Sequence, residues 1–216
     1  MSLNLVPTPG DPGTKIVDCH VAHRPGELYR AEQSLEECNS ALFHHFTGTD
    51  GNILDTRRRG FELGTSPYVS YVDPDDELIG DPFPTMASIL DTGQYSLVYT
   101  NSIVETGDGR RRPHYRQHRW SPEWHWREHL PIHALVLIRR DLLTQVWEEI
   151  DANERLRLAM TNRANSMIYT LLIRILPAYY LNEIGYLWNR NGNNSNTLAD
   201  PEDIYFQYQF KQSLKP

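Results

Sequence analysis

Two spacings of apolar residues alternate along the first half of the chain. Short apolar runs rich in β-branched and aromatic residues predict strands at 15–23, 42–51 and 67–73. The segments between them, 27–42 and 52–64, hold helix formers with apolar positions near the helical spacing. Strands that alternate with helices are typical of a mainly parallel sheet, so the pattern predicts an α/β protein.

The second half of the chain continues this pattern less regularly. A helix is predicted at 81–93 and a strand at 95–106, and that strand ends in a turn at 107–109. A basic and aromatic run, RRRPHYRQHRW, follows the turn, and a short aromatic-rich helix is predicted around His125. A further strand is expected just after His133.

Turn-forming residues divide the chain into three parts. Residues 1–14 contain three prolines with turn-forming neighbours, which predicts a flexible N-terminal lead-in. Residues 15–198 are expected to form a single domain. Residues 199–216 follow a stretch rich in Asn and Asp and are expected to form a C-terminal tail.

Acidic residues gather directly behind the third predicted strand. The stretch SPYVSYVDPDDELIGD places Asp73, Asp75 and Asp76 at its end, and Glu77 comes next. Ligands of parallel sheets bind beyond the carboxyl ends of the strands, where Asp50 also falls. Because like charges repel one another, this cluster indicates a positively charged partner. The simpler interpretation is a turn before a helix N-terminus, a position that favours acidic residues.

Composition narrows the class of protein. The 216 residues are 39% hydrophobic and 23% charged, which is typical of one globular domain. The net charge of −7 argues against a surface that is basic throughout, although local basic patches are compatible with it. Cys19 and Cys38 fit neither a disulfide framework nor a zinc finger. With no signal-like segment and no apolar run of about 18–20 residues, the sequence predicts a cytoplasmic protein without a membrane span.

Two blocks of the sequence, in order, resemble one protein family. SPYVSYVDPDDEL resembles the strand and acidic motif of family-2-type glycosyltransferases of the GT-A fold, and VYTNSIVETGDGRRRPHYRQHRWSPEW with HLPIHALVLIRRDLL is similar to their later part. The likeness runs from about Lys15 to Ser195. It implies a single GT-A-like (Rossmann-like) domain with a mixed, mainly parallel central sheet flanked by helices. It also implies metal-dependent transfer of a hexosyl or pentosyl group from a nucleotide sugar, most often a UDP-sugar.

The resemblance assigns roles to individual residues. Asp73 and Asp75 match the DxD motif, so that Asp75 would bind Mn²⁺ or Mg²⁺ and Asp73 would lie near the ribose or the metal. Carboxylate oxygens suit these hard cations. Asp76 would hold the loop or the sugar, and His133 is a further candidate ligand of the metal. The resemblance also gives further candidates for the donor site: His23, Arg24, Pro25, Asp50, Arg57, Trp188 and Arg190. For several of them, an ordinary role in a turn or in the core is the alternative.

The resemblance fails at the general base. Inverting members of the family carry an acidic pair before a conserved Tyr-containing segment, but the matching stretch SMIYTLLIR has Met167 and Ile168 at those positions. Neither side chain accepts a proton, and inverting transfer needs a group that does. Glu128, Asp151 and Glu154 are alternative candidates. A retaining enzyme would need no such base, so the stereochemistry stays open.

A zinc-dependent hydrolase is an alternative function. HWREH fits the H-x-x-E-H signature of inverted zinc peptidases, with His125 and His129 as ligands and Glu128 as base. Pro122 and Pro131 restrict the helix that carries this motif to about two turns.

Nucleic-acid binding is a second alternative. The stretch RRRPHYRQHRWSPEWHWREH interleaves basic and aromatic side chains, as grooves for single-stranded nucleic acids do. This property fits a non-catalytic nucleic-acid-binding protein. It also fits a compact, phage-type glycosyltransferase whose acceptor is DNA with hydroxymethylated bases rather than a glycan, with the target base stacked on Trp124 or Trp126.

Overall fold

The computed structural model describes residues 15–23, 31–48, 52–114, 121–127, 132, 135–160, 164–190, 208–209 and 211–214. The predicted lead-in at 1–14 and much of the tail at 199–216 lie outside these residues. In the described part, the strands are β1 (Val17–His23), β2 (Ala41–Thr47), β3 (Tyr68–Val72), β4 (Glu77–Leu78), β5 (Leu97–Thr106), β6 (Arg111–Pro113), β7 (Val136–Arg139) and β8 (Ala178–Arg190). The helices are α1 (Ala31–Glu36), α2 (Ile53–Glu62), α3 (Phe83–Leu90), α4 (Pro122–Arg127), α5 (Arg140–Ala152), α6 (Glu154–Met160) and α7 (Ala164–Ile175).

All of these strands belong to one mixed sheet. Its order is β2-β1-β3-β7-β5-β8-β4, and β6 pairs with β5 beside this path. The pairings orient β1, β2, β3, β5 and β8 in one direction and β4, β6 and β7 in the other. Five of these eight described strands are therefore parallel, which confirms the predicted mixed, mainly parallel sheet.

Apolar side chains cover both faces of the sheet. In β5, Leu97 and Tyr99 belong to one buried cluster and Val98 to another, because successive side chains of a strand point to opposite faces. Side chains of α2, α5 and α7 pack on the first face, and those of α1 and α3 pack on the second. The sheet thus lies between two helical layers, as the alternation of strands and helices predicts.

A buried ionic cluster fixes the amino-terminal half of β1. Asp18, which is 1% exposed, accepts hydrogen bonds from the backbone N–H of Ser66 (2.6 Å) and from Nη2 of Arg140 (2.7 Å), and it pairs with His44 (2.8 Å). Burial raises the pKa of Asp18, but its hydrogen bonds with His44 and Ser66 lower that pKa below the usual value. Gly64 lies so close that an added Cβ would overlap the Asp18 carboxyl group.

Two elements differ from the sequence pattern. The predicted helix at 27–42 is described only as the short α1, and the chain is already a strand at Ala41. Ser40 supplies a reason, because Asp81 accepts hydrogen bonds from its backbone N–H (2.9 Å) and its hydroxyl (2.5 Å), which hold the start of β2 in place. The second difference is β7, which enters the sheet antiparallel between β3 and β5.

None of the described helices is long and apolar enough to cross a membrane.

Candidate functional site

The acidic stretch forms a turn at the carboxyl end of β3. The backbone N–H of Asp76 donates to the carbonyl of Asp73 (3.1 Å), which closes the turn at 73–76. The chain then enters β4, which pairs with β8, before α3 begins at Phe83. The turn therefore leads into a strand, so the simpler interpretation of acidic residues at a helix N-terminus does not describe this structure.

Asp76 faces inward and attaches the turn to β8. It is 2% exposed and accepts hydrogen bonds from the hydroxyl of Tyr186 (2.7 Å) and the backbone N–H of Asn189 (2.8 Å). Burial, with the nearby charge of Asp73 as the next cause, raises the pKa of Asp76 to about 8. Each of its two oxygens accepts a hydrogen bond within the protein, so Asp76 serves the shape of the turn.

Asp73 faces outward beside a fixed cation. Its side chain is 58% exposed, and its Oδ1 accepts a hydrogen bond from Nη2 of Arg57 (3.1 Å). Its backbone N–H donates to the hydroxyl of Tyr186 (3.3 Å). The Tyr186 hydroxyl thus contacts the turn at two points.

Arg57 is buried beneath the turn. It projects from α2, where it is 7% exposed, and it lies over the ring of Tyr71 at 4.7 Å. Its Nε donates to Oδ1 of Asn165 (2.9 Å), at the start of α7. Burial is the largest single influence and lowers the pKa of Arg57, but Asp73, through its charge and its hydrogen bond, together with Tyr169 and Tyr71 outweighs it, so the pKa lies above the ordinary value. Arg57 therefore remains a permanent positive charge.

The donor set of the turn fits a hard divalent cation. With Asp76 turned inward, Asp73 and the half-buried Asp75 are the carboxylates of the turn that could ligate a cation. Among the described residues, no group of three His, Cys, Asp or Glu side chains could hold a metal ion. Mg²⁺ is commonly bound by only one or two carboxylates together with substrate phosphates. The chemistry of the turn thus suits an ion that binds together with a diphosphate.

The strand β8 places aromatic and basic side chains beside the turn. Trp188 lies two residues beyond Tyr186 and therefore on the same face of the strand. The ring of His114 contacts Trp188 edge to face at 5.4 Å, and the guanidinium of Arg190 lies 5.9 Å from the Trp188 ring centroid. The structure thus brings two candidates from the sequence, Trp188 and Arg190, onto the strand that braces the acidic turn.

His23 ends β1 at the same edge of the sheet. Val21 is the partner of Val72 in the register of β1 and β3, so that His23 extends past the last residue of β3. Its Nε2 shares a hydrogen bond with Nδ1 of His45 (2.8 Å), and the two rings are stacked. Five other candidates from the sequence, proposed for the donor site, the metal site or the general base, lie outside the described residues. They are Arg24, Pro25, Asp50, Glu128 and His133.

The position of the family's acidic pair is filled by apolar core residues. Met167 and Ile168 are 2% and 1% exposed in α7. Of the alternative bases, Asp151 pairs with Arg58 (2.9 Å), and Glu154 is exposed at the start of α6. What α7 presents to Arg57 is the amide oxygen of Asn165, which is a hydrogen-bond acceptor.

The H-x-x-E-H motif receives no support from the described part of the chain. His125 is 1% exposed in α4, and within the described residues neither of its ring nitrogens has a hydrogen-bond partner. Burial, together with the charge of Lys211, lowers its pKa to about 3. Lys211 and Gln212 donate to the carbonyls of His125 and Trp126, which places the C-terminal segment over this helix. The other two residues of the motif, Glu128 and His129, lie outside the described residues.

Sequence reasoning missed Tyr186 and Asn165. A signal for Tyr186 exists, because it lies two residues before Trp188 and alternation in a strand places both on one face. Asn165 has no comparable signal, since its contact with Arg57 joins residues 108 positions apart.

Comparison with known proteins identifies similar folds only. No protein-family model matches the sequence, and no curated protein matches it significantly. The structure of Staphylococcus aureus TarS 1–349 in complex with UDP-GlcNAc is similar over 92% of this chain and 66% of that chain, with a TM-score of 0.62 and 12% sequence identity. TarS 1–349 without that ligand gives a TM-score of 0.59 over 92% and 64% at 12% identity, and the longer TarS structure gives 0.58 over 91% and 39% at 12% identity.

The chain thus spans less than two thirds of the length of these TarS structures. At 12% identity the likeness concerns the fold alone. It confirms the predicted fold class: the chain has a GT-A-like, Rossmann-like α/β fold with a mixed sheet flanked by helices.

Proposed function

We propose that the protein is a glycosyltransferase that moves a sugar from a nucleotide-sugar donor, a UDP-sugar, to an acceptor hydroxyl. One observation carries the proposal: the DxD residues Asp73 and Asp75 form a turn at the carboxyl end of β3, beside the buried cation of Arg57. This is the edge of a parallel sheet where ligands bind. The fold is shared with TarS, which has been solved in complex with UDP-GlcNAc and with UDP.

The proposed reaction exchanges one bond for another at the anomeric carbon of the sugar. The acceptor oxygen forms a bond to this carbon while the bond to the β-phosphate oxygen breaks, and the nucleoside diphosphate leaves with added negative charge. Arg57 lies where a fixed positive charge would stabilise that charge. A Mn²⁺ or Mg²⁺ ion held by Asp73 and Asp75 would, when bound, supply further compensation.

The proton of the acceptor hydroxyl needs its own route if the transfer inverts the anomeric centre. Met167 and Ile168 cannot accept it. We retain Glu128, which lies outside the described residues, as the proposed base, with Asp151 and Glu154 as the alternatives.

The remaining assignments of the donor site are proposals of the same kind. His23 would meet the nucleotide at the end of β1, together with Arg24, Pro25 and Asp50. Trp188 and Arg190 would form the floor of the site, since they lie on the strand that holds Asp76.

The exposed strand β6, which pairs with β5, favours an acceptor that carries phosphates. All three residues of β6 are exposed, and the side chain of Arg110, just before it, is 87% exposed. Arg110 pairs with Asp108 on the surface, and exposed pairs of this kind are weak and leave the arginine able to meet a phosphate, whereas the partner of Arg111, Glu105, is only 10% exposed. Among the expected acceptors, these arginines favour DNA with hydroxymethylated bases over a neutral glycan.

Donor turnover tests the proposed function directly. Purified protein is incubated with UDP-GlcNAc, UDP-glucose or UDP-galactose and Mn²⁺, with and without hydroxymethylated DNA, and the released UDP is quantified by chromatography. We expect release from one donor, with a loss of at least about a hundredfold in Asp75→Asn, the size seen when one electrostatic contact to a transition state is removed. Glu148→Gln, which changes an exposed carboxylate of α5, is the matched control. Equal release by Asp75→Asn and wild type would refute the assignment.

A further inference from the structure

The ion pair between Arg57 and Asp73 joins a fixed cation to one half of the DxD motif. The two groups are 3.1 Å apart, and the partners differ in exposure: the side chain of Arg57 is 8% exposed and that of Asp73 is 58% exposed. An exposed carboxylate can change partners at low cost, whereas a buried guanidinium cannot leave without losing its other contacts.

Arg57 is held from three sides. Its Nε donates to Asn165 (2.9 Å), its guanidinium lies over the ring of Tyr71 (4.7 Å), and its own carbonyl accepts a hydrogen bond from the Tyr71 hydroxyl (3.1 Å). These contacts keep the positive charge under the acidic turn whether or not a ligand is present.

We propose that Arg57 is the internal counter-ion of the acidic turn and that it sets the order in which ligands bind. The inference rests on the proposed function and concerns the same site. In the nucleotide-free protein, Arg57 compensates one of the two carboxylates that would hold a divalent cation, so the cation alone binds weakly. A nucleoside diphosphate brings new negative charge next to Arg57 and the turn, and the cation then binds tightly.

The charges explain the direction of this coupling. Asp73 and Asp75 supply two negative charges, and Arg57 offsets one of them at hydrogen-bond distance. A divalent cation at the turn is therefore repelled by Arg57 as well as attracted by the carboxylates. Diphosphate oxygens accept hydrogen bonds from a guanidinium and also ligate Mg²⁺ or Mn²⁺. Each ligand then raises the affinity for the other by the same factor.

The first experiment measures Mn²⁺ binding without nucleotide, by the loss of the free-ion electron paramagnetic resonance signal. Arg57→Gln and Arg57→Met remove the positive charge, and the Met variant keeps an apolar stem against Tyr71. We expect both to bind Mn²⁺ roughly tenfold more tightly than wild type, because one repulsive charge near the ion is gone. Arg57→Lys retains the charge and should stay within about twofold of wild type.

Arg58→Gln is the matched control, since it makes the same change of net charge at the neighbouring residue. Arg58 pairs with Glu62 and Asp151 rather than with the acidic turn. Circular dichroism confirms which variants are folded. Unchanged Mn²⁺ affinity in a folded Arg57→Gln or Arg57→Met variant would overturn the counter-ion role, and so would an equal gain in Arg58→Gln.

The second experiment repeats the Mn²⁺ titration of wild-type protein with saturating UDP, and thus needs no variant. We expect at least about tenfold tighter binding of Mn²⁺ with UDP present, and a smaller gain in Arg57→Gln. If UDP binds but the affinity for Mn²⁺ does not change, the coupling is refuted while the proposed function stands. If UDP does not bind even with saturating Mn²⁺, the proposed function and the coupling fall together, and the first experiment still decides the role of Arg57.

Discussion

Asp76→Asn tests whether the inward carboxyl of the acidic turn is held in its neutral form. Asp76 accepts hydrogen bonds from Tyr186 and from the backbone N–H of Asn189. An Asn side chain has the same shape, and its carbonyl oxygen can accept from Asn189 while its amide donates to the Tyr186 hydroxyl. The substitution therefore removes the ionisation of residue 76 and retains its two contacts.

The sign of the effect follows from the raised pKa. Burial is the main cause that raises the pKa of Asp76 from 3.8 to about 8, and Asp73 adds to it. Below pH 4 this carboxyl is neutral in both the folded and the unfolded chain, so its contribution to stability is fully present. Between about pH 4 and 8 the unfolded chain loses the proton and the folded protein keeps it, so stability falls as the pH rises.

The displaced pKa sets the size of the effect. A pKa that moves from 3.8 to about 8 corresponds to at most about 5 kcal/mol, at about 1.4 kcal/mol per pH unit. Because a loosened turn can admit water at high pH, we expect the stability of Asp76→Asn to exceed that of wild type by about 2–5 kcal/mol at pH 8 and by at most about 1 kcal/mol at pH 4.5.

Urea unfolding followed by tryptophan fluorescence measures this difference. The titrations are run at pH 4.5, 6 and 8 with a chelator, so that no divalent cation holds the turn. Glu148→Gln, an exposed carboxylate on α5, is the control and should follow the wild-type curve at every pH. Parallel pH curves for Asp76→Asn and wild type would show that Asp76 is ionised in the folded protein, and would refute the reasoning.

Three further substitutions are measured by urea unfolding. His20→Leu should raise the free energy of unfolding by about 1–3 kcal/mol, since within the described residues neither ring nitrogen of this buried side chain has a hydrogen-bond partner. Burial lowers the pKa of His20 to about 3, so at pH 5 the imidazole gains a proton in the unfolded chain but not in the folded protein. The stability gained by His20→Leu should therefore be larger at pH 5 than at pH 7.5. Tyr186→Phe should cost about 1–2 kcal/mol and weaken UDP binding in calorimetry, because its hydroxyl braces Asp76. Gly64→Ala should cost about 1–3 kcal/mol, because its Cβ would overlap the Asp18 carboxyl group.

Each of these expectations has a contrary result. A loss of stability in His20→Leu at both pH values would mean that the imidazole has a favourable role. Unchanged UDP affinity in Tyr186→Phe would show that the turn keeps its shape without this hydroxyl. Wild-type stability in Gly64→Ala would mean that the Asp18 cluster can shift at no cost.

Local patterns explain why the part of the sheet formed by β1, β2 and β3 could be predicted. The strands β1, β2 and β3 are short apolar runs bounded by turn residues, and they pair in parallel as the alternation with helices indicates. The turn after β3 is equally local, because its acidic residues follow the strand directly. The sequence alone therefore predicts that Asp73 and Asp75 lie at the carboxyl end of β3.

Long-range pairing explains what the sequence did not reveal. The strand β7 inserts antiparallel between β3 and β5, and β8 pairs with both β5 and β4. Partners so distant along the chain leave no periodic signal in it. The same limit applies to the side chains that complete the site: Tyr186 reaches Asp76 across 110 positions, and Asn165 reaches Arg57 across 108.

The general base could not be predicted from α7. Its apolar residues Met167 and Ile168 fill the positions where the resemblance places acids, and they are buried in the core. Whether a side chain can accept a proton depends on that residue and not on the helix that carries it.

Isothermal titration calorimetry with UDP, with and without Mn²⁺, tests the central claim most directly. Wild-type protein and Asp75→Ala are compared, with GDP, CDP and dTDP as reference nucleotides. Asp75→Ala should remain folded, because removing one of several like charges relieves repulsion. We predict that UDP binds wild type at least about tenfold more tightly with Mn²⁺ than without it, and that Asp75→Ala loses this gain. Absence of binding by every nucleotide, or UDP binding that is indifferent to both Mn²⁺ and Asp75, would contradict the assignment of the acidic turn as a donor site.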